Sequence, residues 1–214
     1  MTAAAAPKRQ HCNRCLRPQS TCLCQWIRRT EIETEVLILQ HPLEVNQAKG
    51  SARLLHLSLP RSRLVVGETF AEATLHALLT APFDASAPAH APRQAVLLYP
   101  ETPDMPNVAQ NPGDTHGVLA NSNPVRLVVL DGTWRKSRKM LHLNPLLQQL
   151  PRLALRDMPA SNYKIRKAHR PDQLSTLEAT CAALAQLENP SAPLDALLSA
   201  FDGFVAQQMG FLGR

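Results

Sequence analysis

Residues 125–140, VRLVVLDGTWRKSRKM, constrain what this chain can fold into more than any other stretch. Leu127, Val128, Val129 and Leu130 are apolar without alternation, the pattern of a strand covered on both faces, and such strands lie mid-sheet in parallel sheets. Asp131 falls at the end of that strand, Gly132 permits a tight turn, and Thr133 is placed to cap a helix beginning at Trp134. Open α/β sheets bind ligands beyond the carboxyl ends of their strands, so a carboxylate delivered there by a buried strand is a functional candidate. Arg135, Lys136, Arg138 and Lys139 follow it, placed to meet a polyanion. Without a ligand, the same run is a helix cap with a solvated basic face.

The remaining periodicities build a sheet around this strand. Residues 35–40 (EVLILQ) read as a second buried strand, ending at His41, Pro42 and Glu44, and Lys49, Gly50, Ser51 and Arg53 open the helical pattern LLHLSL. On spacing alone His41 is a turn histidine satisfied by its neighbours. A short strand is expected at 63–66 and a helix at 68–79, with Phe70, Leu75, Leu78 and Leu79 facing the core. A strand at 94–99 stops at Pro100, and a further one at 152–156 leads into a basic loop with Tyr163. A helix at 174–187 opens on STLE, a capping box, and an amphipathic helix at 194–212 offers Leu194, Leu197, Leu198, Phe201, Phe204, Val205 and Phe211 to the core. Residues 81–93 and 101–124 read as loops. This order predicts an α/β domain, a mainly parallel sheet flanked by helices.

Four of the five cysteines, Cys12, Cys15, Cys22 and Cys24, fall within thirteen residues. Four close thiolates match the tetrahedral sulfur site of structural zinc, although the trailing CLC leaves one intervening residue where a zinc knuckle usually has two. Cys181, in the apolar run ATCAALAQL, reads as a buried core thiol. Charge is as uneven as cysteine. The first thirty residues hold Lys8, Arg9, Arg14, Arg17, Arg28 and Arg29 and no acid, and the other 17 basic and 17 acidic residues cancel to leave +6. Residues 126–170 carry eleven Lys or Arg against Asp131 and Asp157, and two basic zones on one chain point to nucleic acid. No apolar stretch approaches the roughly eighteen residues that span a membrane, and the start lacks the apolar core of a secretory signal, so a cytoplasmic protein is expected. No GxGxxG, phosphate-cradling loop, GxSxG or HExxH is present, which leaves dinucleotide, esterase and zinc-protease chemistry without support.

DGTW, preceded by a buried strand and followed by RKSRKM, resembles the signature of the DTW-domain family. CNRC with CLC, HPLE after the first strand, GSAR before LLHLSL, LLYP, and YKIR followed by STLEA resemble further blocks of that family in the same order. The likeness covers most of the chain outside the 81–93 loop and the last helix. It implies a SPOUT-like, knotted fold with a small basic zinc knuckle at 1–30 and a cofactor-binding and catalytic domain at 31–214. It also implies a transferase moving the 3-amino-3-carboxypropyl group of S-adenosylmethionine to N3 of a variable-loop uridine in tRNA. Carried onto this chain, the resemblance implies that Asp131, Thr133 and Trp134 are catalytic. It assigns donor binding to His41, Glu44, Gly50, Ser51, Arg53, Tyr99, Pro100, Leu130, Asp131, Gly132, Tyr163, Ile165, Ser175 and Thr176. RNA contacts fall to Arg14, Arg17, Arg135, Arg138, Lys139, Lys164 and Arg166, and Cys12, Cys15, Cys22 and Cys24 hold zinc. Asp131 is then a base at the N3 proton or an orienting group, and Trp134 stacks on a base or anchors the core. The rival readings are an RNA methyltransferase using the same donor and a non-catalytic zinc-knuckle RNA-binding protein.

Overall fold

In the computed structural model, described for residues 10–83, 93–100, 124–155, 174–188 and 194–212, the strands form one sheet. They are β1 (Glu35–Gln40), β2 (Ser62–Val66), β3 (Gln94–Leu98), β4 (Val125–Asp131) and the two-residue β5 (Arg152–Leu153). All pairings are parallel, and the order β2-β1-β4-β3-β5 puts β4 at the centre, as its unbroken apolar run requires.

Helices cover both faces. Val36, Ile38, Val96, Leu127 and Val129 point to one side, where α1 (Ala52–Ser58), α5 (Thr176–Leu187), α6 (Leu194–Leu212) and the cysteine-rich segment pack on them. Leu37, Leu39, Leu97 and Val128 point to the other, against α2 (Glu72–Thr80), α3 (Trp134–Leu143) and the short α4 (Pro145–Gln148). The period of two along each strand thus divides the core into two layers.

The expected elements are present with shifted ends. α2 begins four residues later than its pattern suggests, so Phe70 lies before the helix yet still packs on the second layer. α4, opened by Pro145 at its first turn, has no counterpart among the expected elements; it is only four residues long. β5 is shorter than its alternation implies, because it pairs only with the end of β3. α5 carries the expected capping box, with Ser175 and Glu178 bonding each other's backbone amides. In α6 the expected core positions Leu194, Leu197, Phe201, Phe204 and Val205 are buried, whereas Phe211, near the end of the helix, is exposed. Cys181 is buried in the core, and burial pushes its thiol up to about 12.

At the amino end of the sheet, opposite the strand ends that carry Asp131, a buried ion cluster ties β1, β4 and α2 together. Glu35 bonds Arg93 at 2.7 Å and also Arg126, which is fully buried. Arg126 donates to the Leu78 and Ala81 carbonyls at 2.7 Å each, and its guanidinium lies 4.2 Å from the centre of the Phe83 ring. Loss of one partner from such a cluster leaves a buried charge unpaired, at about 3–5 kcal/mol. Among the described residues no helix is long and apolar enough to cross a membrane.

Candidate active site

Asp131 and Gln40 are register partners at the carboxyl ends of the two central strands. Their parity with Leu127 and Val129, and with Val36 and Ile38, directs both side chains to the layer that holds α5. Gln40 Nε2 donates to Asp131 Oδ2 at 2.8 Å, and Thr176 Oγ1, in the first turn of α5, donates to Oδ1 at 2.6 Å. Asp131 is only 6% exposed, so each of these bonds to a carboxylate is worth about 1.5–3 kcal/mol. An ionised carboxylate offers about four lone-pair sites, so Asp131 can serve a substrate group without releasing either donor. Ser51, buried at the start of α1, accepts the Leu177 N–H at 3.2 Å and so ties α1 to the same end of α5.

Around this carboxylate the loops are pinned by a histidine hydrogen bond and two lysine ion pairs. His41 accepts the Leu43 N–H on Nδ1 at 3.1 Å, which leaves Nε2 to donate to Glu68 Oε1 at 2.8 Å. The turn histidine expected from spacing is therefore present, but it also bridges to the loop after β2. Lys139 Nζ meets the other Glu68 oxygen at 2.9 Å, and the lysine first, then the histidine, hold the Glu68 carboxyl below its ordinary value. Lys136 Nζ meets Glu44 at 2.7 Å, fastening α3 to the 3-10 turn Pro42–Glu44. Gly132 has little room: a Cβ there would lie 3.1 Å from the Lys136 Cβ and 3.7 Å from that of His41.

Thr133 caps α3, its carbonyl accepting the Ser137 N–H at 2.8 Å and its hydroxyl accepting the Lys136 N–H at 3.4 Å. Trp134 follows, 52% exposed, with its ring edge-on to buried Tyr99 at 5.7 Å. The indole is thus half in solvent and half against the buried tyrosine of the second core layer. Arg152 lies over Tyr99 at 5.4 Å and donates to the Pro100 carbonyl. Burial pushes the Tyr99 phenol up, against the pull of the Arg138 and Arg152 charges and the Ser137 hydrogen bond. Arg135, Arg138 and Lys139 are exposed along α3, and Leu130 is half-buried beneath it.

The four clustered cysteines converge. Cys12 and Cys24 sulfurs are 3.6 Å apart, Cys15 and Cys22 sulfurs 3.7 Å, and all four lie within 4.8 Å of one another. Zinc–sulfur bonds of about 2.3 Å in a tetrahedron require sulfur separations of about 3.8 Å, so this donor set fits structural zinc. Despite the short CLC spacing, Cys24, the first residue of a 3-10 turn, Cys24–Trp26, brings its sulfur to Cys12. Backbone amides of Cys15 and Arg14 lower the Cys12 thiol to about 6. The knuckle is seated on α6: Trp26 donates to Gln207 at 2.5 Å, and a Cβ at Gly203 would lie 2.1 Å from the indole. Arg14 is exposed, while Arg17 donates to the carbonyls of Ala48 at 2.7 Å and Gly50 at 2.9 Å.

His41, Glu44, Ser51, Asp131, Gly132 and Thr176 are therefore linked at one end of the sheet, with Thr133, Trp134, Tyr99 and Pro100 on the α3 side. Arg53 is half-buried in the first turn of α1. Tyr163, Lys164, Ile165 and Arg166 lie outside the described residues. Gln40, Glu68 and Arg152 join the site without having been candidates from sequence. Gln40 carries a signal, a polar residue closing the apolar run Val36–Leu39; Glu68 and Arg152 enter only because a distant loop and strand β5 fold beside the site.

The family model for the DTW domain matches residues 9–209. A mouse protein, tRNA-uridine aminocarboxypropyltransferase 2, is 29% identical over 208 residues, covering 95% of this chain and 65% of its own length. The Drosophila melanogaster protein of that name is 30% identical over 186 residues, 85% of this chain and 68% of its own. The Arabidopsis thaliana tRNA-uridine aminocarboxypropyltransferase A is 30% identical over 141 residues, 63% of this chain and 51% of its own. The chain thus spans about two thirds of the animal relatives and half of the plant one. No solved structure matches. With the match running from the four-cysteine knuckle through the Asp131 strand end to α6, the chain belongs to the DTW-domain family.

Proposed function

We propose that this protein is a tRNA-uridine aminocarboxypropyltransferase that uses S-adenosylmethionine as donor. The observation that carries the reading is the buried Asp131 carboxylate, clamped by Gln40 and Thr176 at the strand end that leads into exposed Trp134, in a chain whose relatives bear that name. The side chains at this end of the sheet suit a zwitterionic amino-acid chain: a carboxylate at Asp131, hydroxyls at Ser51 and Thr176, and a cation at Arg53. A knotted SPOUT-like topology, a metal unit at 1–30, a catalytic unit at 31–214 and a cytoplasmic location belong to the same proposal.

The donor supplies a sulfonium whose bond to the amino-acid methylene breaks as that carbon accepts an electron pair, and methylthioadenosine leaves. Uridine N3 provides the pair and must lose its proton. Asp131 is held in one orientation by its two donors, and there it accepts the N3 proton or holds the uracil for a hydroxide to deprotonate. Orientation decides the product, because the methyl and the methylene sit on the same sulfur. His41, Glu44 and Gly50 shape the loop on one side of the site, and Tyr99, Pro100, Leu130 and Gly132 the other; the family resemblance adds Tyr163 and Ile165 to the donor-binding set. Thr133 sets the start of α3 so that Trp134 presents its face to the base. Arg14, Arg135 and Arg138, with Lys164 and Arg166, track the tRNA backbone, and Lys139 stands next to them on α3, paired with Glu68.

The test is incubation with tRNA and donor labelled either in the carboxyl group or in the methyl group. Carboxyl label in RNA, with methylthioadenosine released, is the expected result. Methyl label in RNA would make the protein a methyltransferase, and binding of tRNA without either label would make it a non-catalytic RNA-binding protein.

A further inference from the structure

We propose that Arg17 is a positioning residue through which the metal knuckle sets the shape of the loop 42–50, the wall of the site between β1 and α1. The backbone of Arg17 is registered to the metal ligands: its carbonyl accepts the Cys12 N–H at 2.8 Å, and Leu16 before it turns at a φ of 61° to bond the Cys12 carbonyl. The guanidinium then reaches across to three carbonyls of one turn, Ala48 at 2.7 Å, Gly50 at 2.9 Å and Gln47 at 3.4 Å. It lies 5.0 Å from the centre of the buried Phe204 ring of α6, which fixes its plane. A planar fork with five N–H donors can serve three convergent carbonyls, and a lysine ammonium at the same position cannot span them.

The loop needs such a tether. Residues 42–50 are exposed or half-buried throughout, and Leu43 and Val45, its large apolar side chains, are 65% and 41% exposed, so packing does little to hold it. His41 and the Glu44–Lys136 pair secure its first half, and Arg17 grips its second. Gly50 leads directly into Ser51, whose hydroxyl receives the Leu177 N–H beside Thr176, the donor to Asp131. Metal binding that orders the knuckle therefore orders one wall of the site. The basic zone of the first thirty residues points Arg17 to RNA; this geometry gives it a different task.

The catalytic consequence rests on the proposed function, but the loop itself can be read without it. The Gln47 and Gly50 amides are bonded inside the turn, at 3.1 Å to the Glu44 carbonyl and 2.9 Å to the Gln47 carbonyl, and hydrogen exchange reports on both. In metal-loaded Arg17→Ala these amides are expected to exchange about tenfold faster or more. Chelation of the wild type should do the same, Arg17→Lys should fall between, and Arg14→Ala, an equal charge loss on the exposed side of the knuckle, should leave them unchanged. With the donor and tRNA, Arg17→Ala should raise KM for the donor more than it lowers kcat. Unchanged exchange in metal-loaded Arg17→Ala would overturn the proposal, and a change only in the salt dependence of tRNA binding would return Arg17 to the RNA surface. Should Arg17→Ala shed its metal, metal-loaded Arg17→Lys decides on the same readout, faster exchange supporting and unchanged exchange overturning. If the wild type shows no turnover, the functional reading fails while the exchange result stands.

Discussion

Asp131 is held by one amide donor and one hydroxyl donor, and that changes what its substitution means. Asparagine keeps the size but presents an NH2 where a donor already points, so Asp131→Asn loses both proton acceptance and one half of the clamp. A fall in kcat of roughly a hundredfold or more is expected for a lost base. Thr176→Val separates the roles. If Asp131 is the base, the valine variant keeps most of its turnover; if it orients the substrate, Thr176→Val falls nearly as far as Asp131→Asn, and the asparagine variant recovers as pH rises toward the nucleobase pKa. Near-normal turnover in both variants, with the fold intact by circular dichroism, would remove Asp131 from the chemistry. At the knuckle, Leu16 holds a left-handed conformation at φ 61° while 58% exposed, a backbone cost of about 1–2 kcal/mol with little packing in return. Leu16→Gly is expected to stabilise the folded protein by about 0.5–1 kcal/mol after the greater freedom of unfolded glycine is subtracted. Thermal denaturation checks this, and a lower Tm would mean that the leucine makes a contact worth more than the strain.

Helix α3 is built from two sets of cations with different work. Lys136 and Lys139 are drawn to Glu44 and Glu68 at 2.7 and 2.9 Å, and they pin the loops that frame the site, whereas Arg135 and Arg138 face solvent. The basic run announces a polyanion surface, but sequence cannot divide it, because the partners of the two lysines lie 92 and 71 residues away in the chain. For that reason Arg135→Ala with Arg138→Ala tests the RNA surface more cleanly than any change at Lys139. The double variant should weaken tRNA binding across sequences and flatten the dependence of log K on log salt by about one unit for each phosphate no longer neutralised. An unchanged slope, measured by filter binding over a salt series, would place α3 away from RNA. β4 shows the opposite case, since its apolar run and its acidic end are both legible, and the structure adds only the partner residues that close around Asp131.

At the scale of the whole molecule, the four-cysteine knuckle is part of the fold rather than an attachment to it. Cys15 and Leu23 are buried in the layer shared by α5 and α6, and Trp26 and Gln207 join the knuckle to the last helix. One zinc per chain is expected on metal analysis, and Cys22→Ser should lose it and unfold the knuckle, with a fall in Tm of several degrees as the α6 contact loosens. Retained stoichiometric metal in that variant would dismiss the four-sulfur site. Sequence alone determined the parallel α/β class, the central place of β4, the caps of α3 and α5, and the four cysteines as one cluster, because each depends on periodicity or spacing within a short window. The joining of the site depended on tertiary structure alone. Gln40 meets Asp131 only because β1 and β4 pair in register, Thr176 reaches it only because α5 packs on that layer, and Arg17 turns inward only because loop 42–50 folds beneath the knuckle. Such contacts are set by which surfaces bury each other, and no local pattern encodes the partner of a polar side chain that lies dozens of residues away.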